Sequence, residues 1–286
     1  MAGTPTVTVV GAGALGAAMA ACLGESGCDV RLWNRTHERA RAAAEHAAGV
    51  TAVERLSEAL RGASAVITVL RDGDAVAKVM IDAIEELERG TVWVQASTIG
   101  PASSRAMADL AAKHTVPFLD APVSGSTAPA RQGKLIWLVS GDESALDRAR
   151  PVLDALGSKV LHVGTGVEGS SLKLVVNAWM VAATVAMSDA LALCDELGLD
   201  HAVFAQALEA GPLSMPYALQ KMRLMEERAF DPGFAVQLAL KDIDLARESA
   251  HLSPLLETVR GRLVGAVEAG NGDDDLAAVD LLRGAG

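Results

Sequence analysis

Aromatic side chains are scarce in this 286-residue chain: Phe, Trp and Tyr together make up 3%, with a single tyrosine. Its core must therefore be built mostly from Ala, Val and Leu. Positive charge is also in short supply, with 25 Lys and Arg against 36 Asp and Glu and a net charge of −11. A nucleic-acid binder shows a basic face, and no Lys/Arg run here is long enough to form one; the excess acid reads as a solubility feature. Only three cysteines occur, Cys22, Cys28 and Cys194, with no C-x-x-C pair. That excludes a disulfide framework and fits reduced thiols in the cytosol. The six histidines are scattered without the spacing of a zinc site, so no metal is expected. The first residues, MAGTPTVTVVGAG, lack the charged n-region of a signal peptide. The most apolar segment, Leu174 to Met187, falls short of the roughly 20 apolar residues a membrane span needs. A soluble, cytoplasmic protein is the expectation.

What is present is a composition for folding. Half the residues are apolar and 21% are charged, which is not the balance of a disordered chain. The length suits one large domain or two medium ones with a core that needs no staples. Ala-rich stretches with Leu and Glu favour helix.

Two halves differ in pattern. Residues 1–164 alternate short β-like runs with helical stretches. The strand candidates are VTVV (7–10), DVRLW (29–33), AVITVL (65–70), VWVQA (92–96) and PFLDA (117–121), followed by a hairpin-like pair at 135–140 and 159–163. Runs apolar throughout suit strands buried on both faces. Helical stretches at 14–26, 36–47, 73–88 and 101–113 lie between them, which implies an α/β parallel sheet with right-handed crossovers. After about residue 165 the β signal stops. Residues 168–197 read as one long helix ending at Gly198, apolar on most sides and so expected to be buried on most sides. Further helices are expected at 201–210, 214–228, 235–251, 254–269 and 274–283, making residues 165–286 all-α. Trp179, Met180, Met215, Tyr217 and Phe234 are candidates there for core, interface or pocket wall.

Gly11-Ala12-Gly13-Ala14-Leu15-Gly16 follows a strand and opens a helix. This G-x-G-x-x-G pattern permits a tight turn and close approach of a dinucleotide pyrophosphate to a helix N-terminus. A site for NAD carries Asp or Glu after the next strand, for the ribose 2′-hydroxyl. Here Asn34-Arg35-Thr36 stands instead. No carboxylate repels a 2′-phosphate and Arg35 can pair with one, so NADP(H) is expected to be preferred over NAD(H). Lys173 and Asn177 lie four apart on the long helix and share a face. Spacing alone leaves two readings: a lysine snorkelling near the helix start, or a general acid/base held by an amide, its pKa lowered by burial.

Five ordered segments carry a resemblance: GAGALGAAMAACLGESGCDVRLWNRT (11–36), STIGP (97–101), DAPVSG (120–125), KLVVN (173–177) and KDIDLA (241–246). Over nearly its whole length the chain resembles the β-hydroxyacid dehydrogenases, which include 3-hydroxyisobutyrate dehydrogenase and the glyoxylate/succinic semialdehyde reductases. The resemblance implies a Rossmann domain, an all-helical domain joined to it by a long interdomain helix, and homo-oligomers built through the helical half. It implies that Lys173 is the catalytic acid/base and that Asn177 assists it. Ser124 and Gly125, with Ser126 beside them, are implied to bind a small carboxylate substrate. Leu70, Arg71, Thr98 and Lys241 are implied to line the cofactor site, with Asp242 orienting Lys241 or the active site. The chain departs from the family pattern at Arg71, Ser126, Pro129, Lys134, Val167 and Val176. Arg71 either favours a second anionic group on the substrate or is an exposed loop residue. Two rival functions share the architecture. Imine reductases or reductive aminases usually lack the lysine, and a non-catalytic NADP-binding module would lose it. 6-Phosphogluconate dehydrogenase has a much longer helical domain.

Overall fold

A computed structural model describes residues 5–283. The chain divides into two compact units, Met1–Lys173 and Leu174–Gly286.

The first unit holds nine strands in one sheet: β1 (Thr6–Val10), β2 (Asp29–Trp33), β3 (Val50–Ala52), β4 (Ala65–Thr68), β5 (Val92–Gln95), β6 (Phe118–Asp120), β7 (Val123–Ser124), β8 (Leu135–Gly141) and β9 (Gly157–Gly164). The order is β3-β2-β1-β4-β5-β6-β8-β7, with β9 also on β8. β1 to β6 run parallel, in register with their neighbours; β8 is antiparallel to β6 and β7. Helices cover both faces: α1 (Ala14–Glu25), α2 (His37–Ala44), α3 (Leu56–Leu60), α4 (Gly73–Ala83), α5 (Gly100–Lys113), α6 (Thr127–Arg131) and α7 (Glu143–Leu156). β1 shows why the strands read as apolar runs. Val7 and Val9 join the layer with Met19 and Leu23 of α1 and Leu146 and Leu153 of α7. Val10 joins the opposite layer, with Leu60 and Ala83. Both faces are buried, as in doubly wound sheets.

β9 corrects the expected hairpin. It pairs with β8 in parallel, because α7 intervenes and returns the chain to the same sheet end. Trp137 of β8, fully buried, donates from its indole N–H to the Leu153 carbonyl at 3.0 Å and ties α7 down.

The second unit is helical: α8 (Glu168–Leu197), which begins in the first unit, then α9 (His201–Glu209), α10 (Pro216–Glu227), α11 (Val236–Ser249) and α12 (Pro254–Glu268). The stretch expected as a last α-helix is a 3₁₀ helix, Leu276–Leu282, whose N-cap Asp275 accepts from Ala277 N. Asp275 is fully buried and also accepts from Lys221 at 2.6 Å and from the Gly233 and Phe234 amides. Three anchors of one carboxylate thus draw this end inward, and the tight winding follows. Val181, Val185 and Leu191 of α8 pack with Met222, Ile243, Leu263 and Val279. Met180, Met215 and Phe234 pack partly buried against this core.

The long helix is less enclosed than its composition suggests. Val175, Trp179, Leu193 and Leu197 are 55–67% exposed and lie along one face of α8. By length and composition α8 could cross a membrane, but half of its apolar stretch is buried against the chain itself.

Candidate active site

The sheet order changes direction at β1, which has β2 on one side and β4 on the other. Crevices that bind ligands form at the carboxyl ends of strands at such a point. Gly11 follows β1 at φ +119°, and a Cβ there would lie 2.2 Å from the Val69 carbonyl oxygen. Only glycine lets the two loops approach this closely. Gly16 packs on the same turn: its Cβ would lie 2.0 Å from the Gly11 oxygen. Gly13 differs, since a Cβ there would meet nothing within 4 Å. It is exposed and N-caps α1, and no side chain caps that helix end. The loop leaves room beside Gly13 and a helix N-terminus beside that room, which together suit a pyrophosphate. Ala12, Ala14 and Leu15 complete the turn.

Asn34 braces this loop. Its Oδ1 accepts from Ala12 N at 3.2 Å and its Nδ2 donates to the Thr36 carbonyl at 3.0 Å. Arg35 is exposed, and Thr36 is the N-cap of α2 without a side-chain cap bond. On the other side of β1, Leu70 N donates to Ser97 Oγ at 2.8 Å. Ser97 is held in turn by Gln95, which accepts from its amide and donates to its carbonyl, both at 2.8 Å. This buried network fixes the backbone on which half-buried Thr98 stands. Arg71 is exposed and lies 4.0 Å from Asp72.

Ser124 ends β7, and Gly125 (φ +132°) and exposed Ser126 lead into α6. A Cβ on Gly125 would lie 2.8 Å from a Leu135 methyl group. Half-buried Lys173 stands one turn beyond Ser170 on α8.

The start of α8 is held by a carboxylate that sequence reading passed over. Asp120, the last residue of β6, is fully buried. Its Oδ1 accepts from Ser104 Oγ at 2.5 Å and from Ser170 Oγ at 2.6 Å. Its Oδ2 accepts from Ser170 N at 2.7 Å and from Ser140 Oγ at 3.2 Å. Ser140 Oγ also accepts from Gly169 N at 3.0 Å. Burial pushes the Asp120 carboxyl above its ordinary range, against the pull of these donors. The motif DAPVSG displays the aspartate, but its partners come from α5, β8 and α8, which no local pattern connects.

In the helical unit, Asn177 is buried and its Nδ2 donates to Asp242 Oδ2 at 2.5 Å. Asp242 Oδ1 lies 2.9 Å from Lys241 Nζ, close as an ion pair though not aligned as a hydrogen bond. The carboxylate therefore fixes the Asn177 amide, leaving its Oδ1 as an acceptor on the opposite side.

Comparison with known proteins agrees with this arrangement. Residues 6–164 match the NAD-binding domain of 6-phosphogluconate dehydrogenase, and residues 167–282 match the NAD-binding domain of NADP-dependent 3-hydroxyisobutyrate dehydrogenase. The chain is 30% identical to glyoxylate/succinic semialdehyde reductase 1 of Arabidopsis thaliana, over 96% of each. It is 32% identical to a probable 3-hydroxyisobutyrate dehydrogenase of Mycobacterium tuberculosis, over 85% of each. Among solved structures, M. tuberculosis 3-hydroxyisobutyrate dehydrogenase with L-serine superposes with a TM-score of 0.87 at 29% identity, covering 98% of this chain and 99% of that one. The chain belongs to the β-hydroxyacid dehydrogenase family, NAD(P)-dependent oxidoreductases that act on a CH–OH group.

Proposed function

We propose that the protein interconverts a small β-hydroxy acid and the corresponding semialdehyde, with NADP(H) preferred and Lys173 as general acid/base. The observation that carries the reading is α8 itself. Lys173 and Asn177 stand one turn apart on it, and Asp242 orients the Asn177 amide.

In this reading Ser124 Oγ and the backbone amides of Gly125 and Ser126 hold the substrate carboxylate. Asn177, its amide oriented by Asp242, stands one turn beyond Lys173 on α8 and assists it. In oxidation Lys173 Nζ acts as the neutral amine and takes the hydroxyl proton, becoming the ammonium; in reduction the ammonium donates that proton to the carbonyl oxygen. The bound dinucleotide, when present, accepts or supplies the hydride. Gly13 leaves space for its pyrophosphate, and Thr98 lines its site. NADPH oxidation followed at 340 nm across glyoxylate, succinic semialdehyde, methylmalonate semialdehyde, tartronate semialdehyde and a cyclic imine tests the reading. Turnover of a carboxylate-bearing carbonyl, and not of the imine, is expected. Turnover of the imine alone overturns it.

The preference for NADP(H) rests on the end of β2. Asn34 is committed to the loop, no carboxylate stands at positions 35–37 after it, and Arg35 is exposed beside the N-terminus of α2. A charge-assisted hydrogen bond contributes about 1.5–3 kcal/mol. Arg35→Ala is therefore expected to cut the NADPH-over-NADH ratio of kcat/KM about ten- to a hundredfold. An unchanged ratio removes the assignment.

The exposed apolar face of α8 supports a homo-oligomer in the cytoplasm, where the three buried thiols stay reduced. Trp179→Glu is expected to move the protein toward the 29.5 kDa monomer in light scattering. A wild-type protein that is already monomeric contradicts this.

A further inference from the structure

Helix N-termini leave backbone N–H groups without intrahelical partners. In α8 two of these, Gly169 N and Ser170 N, are taken by side chains of the sheet, Ser140 and Asp120. A Cβ on Gly169 would lie 2.3 Å from the Leu138 carbonyl oxygen and 2.8 Å from the Asp120 backbone carbonyl oxygen, so the helix start sits hard against the strands. The carboxylate also faces the positive end of the helix dipole, which favours a negative charge there. The cluster has no part in the proton transfer proposed above, yet it ends one turn before Lys173.

We propose that Asp120 is a positioning residue for the reaction: by gripping Ser170 from the sheet, it fixes where Lys173 Nζ stands. The inference rests on the reading of Lys173 as the acid/base. An α-helix is stiff over one turn, so a displacement at Ser170 is carried to Lys173. Misplacement of a reacting group by about 1 Å can cost roughly a hundredfold in rate.

Ser104 and Ser170 provide an internal comparison. Both hydroxyls donate to the same oxygen, at 2.5 and 2.6 Å, but only Ser170 belongs to the helix that carries Lys173. Ser104→Ala and Ser170→Ala are expected to lower Tm alike. Ser170→Ala should lower kcat about tenfold, with substrate KM within about twofold of wild type, and should move the midpoint of the kcat–pH profile. Ser104→Ala should leave kcat within about twofold and the midpoint in place. Asp120→Asn, which turns an amide N–H toward the Ser170 amide or forfeits that bond, should lower kcat more than Ser170→Ala does. Equal kcat losses in the two serine variants, or none in either while Tm falls, overturn the proposal and leave Asp120 a purely structural group. Wild-type turnover by Lys173→Ala would instead remove the acid/base reading, and the role of Asp120 with it.

Discussion

Lys173→Ala is expected to lower kcat by about 10²–10⁴, the usual worth of a positioned acid or base. Dinucleotide affinity should change little, because the glycine turn, Asn34 and the Ser97 network all lie on other elements of the sheet unit. The loss should appear equally in kcat and kcat/KM, the signature of an interaction made only in the transition state. Stability should barely move, since the side chain is half-buried and Ala is the best helix former. Lys173→Arg keeps the charge but cannot give up its proton near neutral pH, and it should be nearly as inactive. Stopped-flow turnover together with fluorescence titration of NADPH separates chemistry from binding. Near-normal turnover in Lys173→Ala would falsify the acid/base role.

Gly13→Ala and Gly16→Ala are expected to fail in opposite ways. The Gly16 methyl group would be driven against the Gly11 carbonyl, backbone on backbone, with no flexible side chain to yield. Overpacking of that kind destabilises by up to about 3 kcal/mol, a fall in Tm of up to about 6–12 °C for a unit of this size. The Gly13 methyl group meets no protein atom, and its backbone at φ −72°, ψ 175° suits alanine. Tm should therefore hold in Gly13→Ala, while NADPH binding weakens at least about tenfold, or 1.4 kcal/mol. Differential scanning calorimetry and binding titration on both variants check the pair. A Gly13→Ala protein that binds NADPH normally would show that the space beside Gly13 is not where the pyrophosphate lies.

Much of this was legible in the sequence, for identifiable reasons. DVRLW and residues 168–197 match β2 and α8 because the first alternates polar and apolar residues, the second stays mostly apolar along its length, and turn residues bound both. The glycine spacing identifies the turn because Gly11 and Gly16 each answer a separate steric demand of the protein itself. Helix α7 was missed: it carries Pro151 in its interior, and its charged face hides the apolar positions Leu146, Val152 and Leu153. Without it, β8 and β9 look like a hairpin. The 3₁₀ winding at Leu276–Leu282 depends on Asp275 and its partners from α10 and the loop before α11. The expected enclosure of α8 failed because composition does not say which face of an apolar helix is covered. Asp120 was in view as part of a motif, yet the serines that give it a role are 16, 20 and 50 residues away.

The continuity of α8 bears on how such proteins can be recombined. A chimera joined just before Glu168 would pair the Asp120 of one parent with the Ser170 of another. A junction moved to between Lys173 and Asn177 would divide the lysine from the amide one turn later. Neither crossover point respects the parts proposed to act together, although the chain separates into two compact units close to both. The halves should be inherited as a matched set, and shuffled libraries should lose activity at these junctions even when both halves fold.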